Sequence, residues 1–164
     1  MVMKVLAGTI NLLPSAFRKR LFVALGLSRR AMTLGVRIMV RNDEGHILLV
    51  RHTYVPGWYL PGGGVERHET VQQAAAKELL EECSIEALDE PALFHFYKNL
   101  RTSRFDHVAL FTCSNWRQIA TKQPDHEIAE LGFFAPDDLP EETTLPTRNR
   151  IAEVLNGQRP GDIW

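Results

Sequence analysis

No acidic residue occurs before Asp43. Over the same stretch stand eight basic residues, Lys4, Arg18, Lys19, Arg20, Arg29, Arg30, Arg37 and Arg41. The rest of the chain holds eleven basic residues against twenty acidic ones, so a net charge of −1 conceals a basic head on an acidic body. That polarity marks residues 1–30 as a separate basic segment and 31–164 as the main domain. Cysteine is scarce too. Cys83 and Cys113 lie far apart and form no CxxC pair, which argues against a disulfide framework or a redox motif. Both are expected reduced and buried, in a cytoplasmic setting. No run of about 18 apolar residues exists, so no membrane-spanning helix is expected. The apolar opening stretch is not expected to be a secretory signal. Asn11 and Pro14 interrupt it, and Arg18-Lys19-Arg20 stand where a small-residue cleavage site belongs. Repeats and low-complexity tracts are absent. A chain of 164 residues favours one domain with a real core.

What is present reads as strands around one embedded helix. Residues 15–27 suit a short amphipathic helix, with Phe17, Leu21 and Leu25 on one face and Ser15 as a cap. Thr33 to Arg41 alternates and is rich in β-branched residues. The turn chemistry of Asn42-Asp43-Glu44-Gly45 then predicts a hairpin with His46 to His52. Trp58 to Leu60 predicts a short strand entering the glycine loop Pro61-Gly62-Gly63-Gly64. Thr70 and Gln73 form a capping box for a helix running to about Cys83. Further strands are expected at Leu93 to Leu100, Phe105 to Cys113 and Ile128 to Phe134. A closing helix over Thr144 to Leu155 stops at Gly157. The order implies a mixed sheet covered by helices on both sides.

The chemistry concentrates in Gly63-x5-Glu69-x7-Lys77-Glu78-Leu79-x-Glu81-Glu82-x-Ser84-Ile85. Glu78, Glu81 and Glu82 share an arc of about 100° on a helix. Leu79, Leu80, Ala76 and Cys83 are expected on the opposite, core side. Ala74 and Ala75 precede the glutamates on nearly their own face and leave room for a ligand. Like charges at that spacing destabilise a helix, and only Lys77 stands beside them to offset it. A hard divalent cation, Mg²⁺ or Mn²⁺, relieves the conflict, since such ions take carboxylate oxygens and are completed by substrate phosphates. The adjacent glycine loop exposes backbone amides next to a helix start, where phosphates bind. Three glutamates alone more often mark a solvated face; the full composite spacing is what points to chemistry.

This stretch resembles the signature of the Nudix hydrolase family, in which a glycine, a glutamate and an Arg-Glu-aliphatic-x-Glu-Glu run recur at these spacings. The resemblance covers about residues 33–155 and includes Trp58 to Glu66, Glu127 to Phe134 and Asp137 to Pro140. Lys77 replaces the family's arginine and Ser84 its glycine. The resemblance implies an α/β/α sandwich with a mixed β-sheet. It also implies a metal-dependent hydrolase that cleaves a diphosphate linkage in a nucleoside diphosphate joined to another moiety. Glu78 and Glu82 become metal ligands or a water-activating base, with Glu81 assisting. The Gly62 carbonyl faces the metal, and Glu69 is structural at the joint between loop and helix. In the family the arginine orients a catalytic carboxylate, so Lys77 inherits that role with a less specific geometry.

Several assignments stay open. Glu127 is either a further acidic ligand or a surface glutamate. Arg51, Gly63 and Gly64 are candidates for substrate phosphates, as are Arg101 and Arg104, which equally suit a solvated turn. His68 and His126 are acid–base candidates, against the plainer reading as exposed side chains. His52, His68, His95, His107 and His126 show no zinc spacing with cysteine or each other. Trp58 and Tyr59 suit either a base stack or the core. The rival to an enzyme is a non-catalytic nucleotide-sensing module of the same fold. No nucleic-acid partner is expected. The basic segment suits a peripheral membrane surface, a dimer contact or docking on the domain.

Overall fold

The structure, a computed structural model, describes residues 32–164. The helix expected over 15–27 lies outside them. Among the described residues the elements run β1 (Thr33–Val40), β2 (Ile47–His52), α1 (Val71–Cys83), β3 (Ile85–Ala87), β4 (Ala92–Lys98), β5 (Asp106–Cys113), β6 (Trp116–Gln118), β7 (Ile128–Phe134) and α2 (Leu145–Asn156). No described helix is long and apolar enough to cross a membrane.

β5 is the centre of a three-stranded sheet, parallel to β1 and antiparallel to β4. β2 pairs antiparallel with β7, and β3 with β6. The expected β1–β2 hairpin is therefore corrected. The Asn42 turn forms, with its side-chain oxygen accepting from the Glu44 and His46 N–H groups. Beyond one bridge, Arg41 to Ile47, the two strands join different ladders. Both are apolar on both faces, which suits central strands with partners of their own rather than an isolated hairpin. The strand expected at Trp58 to Leu60 is reduced to bridges from Tyr59 to Val50 and from Trp58 to Thr143. The chain then runs antiparallel along β1. Ile38 N–H donates to the Pro61 carbonyl, Val36 N–H to Gly63, and Val65 N–H to Leu34. The segment from Tyr59 to Val65 thus bonds first to β2 and then to β1, and bridges the two ladders.

Strand alternation separates two cores. Val36, Ile38, Val40, Leu48, Val50, Ala109 and Phe111 pack with Ala74, Ala75, Leu79 and Cys83 of α1. Met39, Ile47, Leu49 and Leu110, the neighbours of opposite parity, pack with Ile151 of α2. Successive strand side chains point to opposite faces, so the two helices cover opposite sides of the sheet. The result is the expected α/β/α sandwich.

α1 begins as its sequence dictates. The Thr70 hydroxyl accepts from Gln73 N–H, and the Gln73 side chain accepts from Thr70 N–H. It ends at Ser84, held left-handed at φ 54°, while Gly157 ends α2 in the same conformation. The buried face of α1 differs from the expected one. Ala74 and Ala75 are core residues rather than an open approach. Ala76 is half-buried and Leu80 is 46% exposed. The stripe seen by the sheet runs through Ala75, Leu79 and Glu82, at spacings of four and three. Glu82 consequently lies inside, not on a solvated face.

Candidate active site

The three glutamates of α1 occupy three environments. Glu81 is exposed, Glu78 half-buried and Glu82 only 3% exposed. The Glu82 carboxylate accepts from the backbone N–H of Gly62 at 2.8 Å. Burial pushes its pKa up from 4.5 to about 7, although the Gly62 hydrogen bond and the Arg37 charge pull the other way. Burial also raises Glu78, with the charges of Glu81 and Glu127 adding to the rise and Lys77 opposing it.

The glycine loop is shaped around these carboxylates. Gly62 has φ +139°, and a Cβ there would lie 2.1 Å from the Val36 carbonyl oxygen, so only glycine fits. A Cβ on Gly63 would sit 2.5 Å from Glu78 Oε1, whereas one on Gly64 would meet nothing within 4 Å. The Gly62 carbonyl, expected to face a metal, accepts from Arg37 Nη1 at 2.6 Å. Its second lone pair remains for another partner. The same Arg37 nitrogen donates to the Leu60 carbonyl at 3.0 Å.

Glu127 joins the site from the segment preceding β7. One ligand atom each of Glu127, Glu82 and His52 lies within 4.8 Å of the others. That segment is pinned on two sides. Thr53 N–H donates to the Glu127 carbonyl and the Thr53 hydroxyl to that of His126. Asp125 accepts from the N–H groups of Glu127 and Ile128, and these bonds, with the Lys122 ion pair, hold its carboxyl well below the usual range. Tyr54, its ring tilted 34° against His52 at 5.1 Å, points its hydroxyl to Glu127 at 3.5 Å.

Lys77 lies elsewhere. Its ammonium pairs with Glu69 at 3.2 Å and Glu66 at 3.4 Å, and among the described residues it makes no ion pair with Glu78, Glu81 or Glu82. Glu69 also accepts from Glu66 N–H, so it braces the joint between loop and helix. Arg51 pairs with Glu130 across the β2–β7 ladder and lies over the Trp58 ring. His68 and His126 are exposed, and among the described residues neither side chain hydrogen-bonds or ion-pairs with the glutamates. Trp58 is core, while Tyr59 is half-buried.

On the α2 side, a cavity of about 410 Å³ is lined by Arg37, Tyr59, Gly63, Gly64, Asn99 and Arg101, among others. Gly63 therefore belongs to the cavity wall and also touches the Glu78 carboxylate.

His52 and Arg37 were not singled out for this site by sequence reasoning. Each had a weak signal. His52 extends the buried Leu48–Val50 row of β2, where an apolar residue belongs, and Arg37 is the one charge inside an otherwise apolar strand.

The donor set suits a divalent cation. Glu82 and Glu127 converge closely, and burial makes the unneutralised charge of Glu82 costly, which a bound cation offsets.

The NUDIX domain model matches residues 32–155. A Bacillus subtilis protein named provisionally as an 8-oxo-dGTP diphosphatase is 44% identical over 80% of this chain and 85% of its own length. An RNA pyrophosphohydrolase of Hydrogenovibrio crunogenus is 41% identical over a third of each chain. The crystal structure of a MutT NUDIX hydrolase from Burkholderia pseudomallei superposes with a TM-score of 0.64 at 27% identity. That match covers 74% of this chain and 97% of that one.

Proposed function

The chain belongs to the Nudix family of pyrophosphohydrolases, and from that premise we propose that it hydrolyses the diphosphate linkage of a nucleoside diphosphate joined to another group. The observation that carries this reading is the position of Gly63. It lines the cavity on the α2 side and abuts the Glu78 carboxylate on the α1 side. A nucleoside held in the cavity by Tyr59 and Arg37 places its phosphates along the Gly63–Gly64 backbone, toward the glutamates. Glu78 and Glu82 would be the primary holders of Mg²⁺ or Mn²⁺, with Glu81, Glu127 and the Gly62 carbonyl assisting. The ion, when bound, polarises a phosphoryl oxygen and acidifies the attacking water.

The chain's own residues do the rest. A glutamate of α1 takes the proton from water. Glu78, half-buried and reached through the glycine gap, is the better placed. Glu82 is buried and already engaged by Gly62 N–H. Arg37 keeps the loop in place through the Leu60 and Gly62 carbonyls. The Bacillus subtilis relative makes oxidised and ordinary nucleoside triphosphates the first substrates to try, since each is a nucleoside diphosphate joined to phosphate.

The test is a panel of nucleoside triphosphates including 8-oxo-dGTP, nucleotide sugars, dinucleoside polyphosphates and a 5′-triphosphate RNA, with and without Mg²⁺ or Mn²⁺. The expected result is metal-dependent release of two phosphate-ended fragments from at least one small nucleotide. Binding of a nucleotide without turnover of any compound would overturn the reading in favour of a sensing module.

A further inference from the structure

We propose that His52 supplies a nitrogen donor to the divalent-cation site, which makes that site favour Mn²⁺ over Mg²⁺. The inference rests on the cation-binding reading above and adds a ligand of different chemistry. His52 is 6% exposed, yet neither ring nitrogen makes a hydrogen bond among the described residues. Nδ1 is buried without a partner. Nε2 lies 3.8 Å from Glu82 Oε1, beyond hydrogen-bond length. A neutral imidazole has one nitrogen that donates and one that accepts, and with no hydrogen bond to hold it the lone pair on the Glu82 side is free for an ion.

The backbone around His52 aims it at the carboxylates. Arg51 faces Glu130 and His52 faces Ile128, so the β2–β7 register shifts between them and Ala129 is the extra residue. Such bulges re-aim side chains next to functional sites. The neighbouring Thr53 then bonds to the Glu127 and His126 carbonyls, which locks the end of β2 to the segment carrying Glu127. Tyr54 and Tyr59 lie against the imidazole, tilted to it, at 5.1 and 5.8 Å between centroids. Three elements thus deliver one nitrogen and two oxygens to within 4.8 Å of one another.

Ligand type decides metal preference. A site built of oxygen alone suits Mg²⁺ and Ca²⁺, whereas an imidazole nitrogen raises the affinity of first-row transition ions relative to Mg²⁺. Mn²⁺ gains least of that row, yet unlike Mg²⁺ it accepts an imidazole nitrogen, so the added donor shifts the balance between these two ions toward Mn²⁺.

The test uses the full chain loaded with Mn²⁺ and pulsed electron paramagnetic resonance to detect ¹⁴N coupled to the bound ion. Nitrogen modulation is expected in the wild type and absent in His52→Gln. Competition calorimetry should show the Mn²⁺ affinity of His52→Gln reduced roughly 10-fold or more, with Mg²⁺ affinity changed by less than about threefold. Bound Mn²⁺ without nitrogen modulation overturns the proposal and leaves the hydrolase reading intact. So does modulation that survives in His52→Gln, or an equal loss for both ions. Failure of the wild type to bind Mn²⁺ overturns both. A wild-type spectrum without nitrogen modulation overturns the proposal even if His52→Gln does not fold, and His52→Asn then replaces it as the variant in which modulation must vanish.

Discussion

The ammonium group of Lys122 donates to the main-chain carbonyl of Glu81 across 2.8 Å. α1 has no basic residue in its own last turn, so Lys122 brings a cation to the negative end of the helix from outside. It also pairs with Asp125, whose carboxylate holds the N–H groups of Glu127 and Ile128. One side chain therefore fastens the Glu127 segment to the helix that carries Glu78 and Glu82. Lys122→Met should cost about 1–2 kcal/mol of stability. It should also speed amide hydrogen exchange at Glu127 and Ile128 and lower metal affinity, while Lys122→Arg restores part of both. Unchanged exchange at those two amides would show that the clamp does not hold the segment.

The three loop glycines should respond to alanine in a set order. Gly64→Ala meets no protein atom and should fold as wild type. Its turnover should be reduced less than in Gly63→Ala, with any loss appearing as a raised KM where the phosphates pass. Gly63→Ala places a methyl group against Glu78, so turnover should fall at least roughly tenfold while the melting temperature changes little. Gly62→Ala collides with backbone at positive φ and should cost about 3 kcal/mol or more, enough to impair folding. Kinetics and thermal melts on the three variants check the order. Equal activity in Gly63→Ala and Gly64→Ala would refute the packing argument.

Lys77 bridges Glu66 and Glu69, so its influence on catalysis passes through the loop–helix joint. Lys77→Arg should leave turnover within about twofold, because both partners remain reachable. Lys77→Ala should lower stability by about 1 kcal/mol or less, the range of a partly exposed pair. It should reduce turnover more than substrate affinity. Steady-state kinetics of the two variants supply the measurement. A full loss of activity in Lys77→Arg would mean that the ammonium has a direct catalytic task.

Deleting residues 1–28 should leave metal binding and hydrolysis unchanged, as the family match begins at residue 32. Vesicle flotation with anionic lipid, on the full chain and the truncated one, tests whether the basic segment binds a membrane surface. Loss of metal binding in the truncated protein would make the segment part of the site.

The sequence made the bounds of α1 legible almost to the residue, because the capping box of Thr70 and Gln73 is a local signal, whereas the stripe it buries was not. Pairing was less legible. Nothing local distinguishes a β1–β2 hairpin from two strands that join separate ladders, since that choice is settled by β5 and β7, far along the chain. β3 and β6, three residues each, are too short to carry a period. The site followed the same division. The glutamates and glycines announced themselves by spacing, whereas His52 and Arg37 reach it through strand register and a bulge. The burial of Glu82 depended on which stripe of α1 the sheet covers.

That burial gives the sharpest pH prediction. In the metal-free protein the Glu82 carboxyl titrates near 7, raised from 4.5 chiefly by burial. A carboxyl whose folded pKa lies above its unfolded value stabilises the fold in its protonated form. The contribution is complete below the unfolded value of 4.5 and is lost as pH rises through about 7. Metal-free wild type should therefore lose on the order of 3 kcal/mol across that window. Burial raises Glu78 as well, which acts in the same direction. Glu82→Gln keeps the size and still accepts from Gly62 N–H but cannot ionise, so its stability should vary much less over the window and exceed that of wild type near pH 8. Saturating Mg²⁺ should reverse the ranking there, because binding to the folded state stabilises only a chain that retains its carboxylates. Urea titrations of both proteins from pH 4 to 8, with and without the ion, measure each part. Parallel pH curves without metal would mean that Glu82 is not the buried charge that the cation relieves.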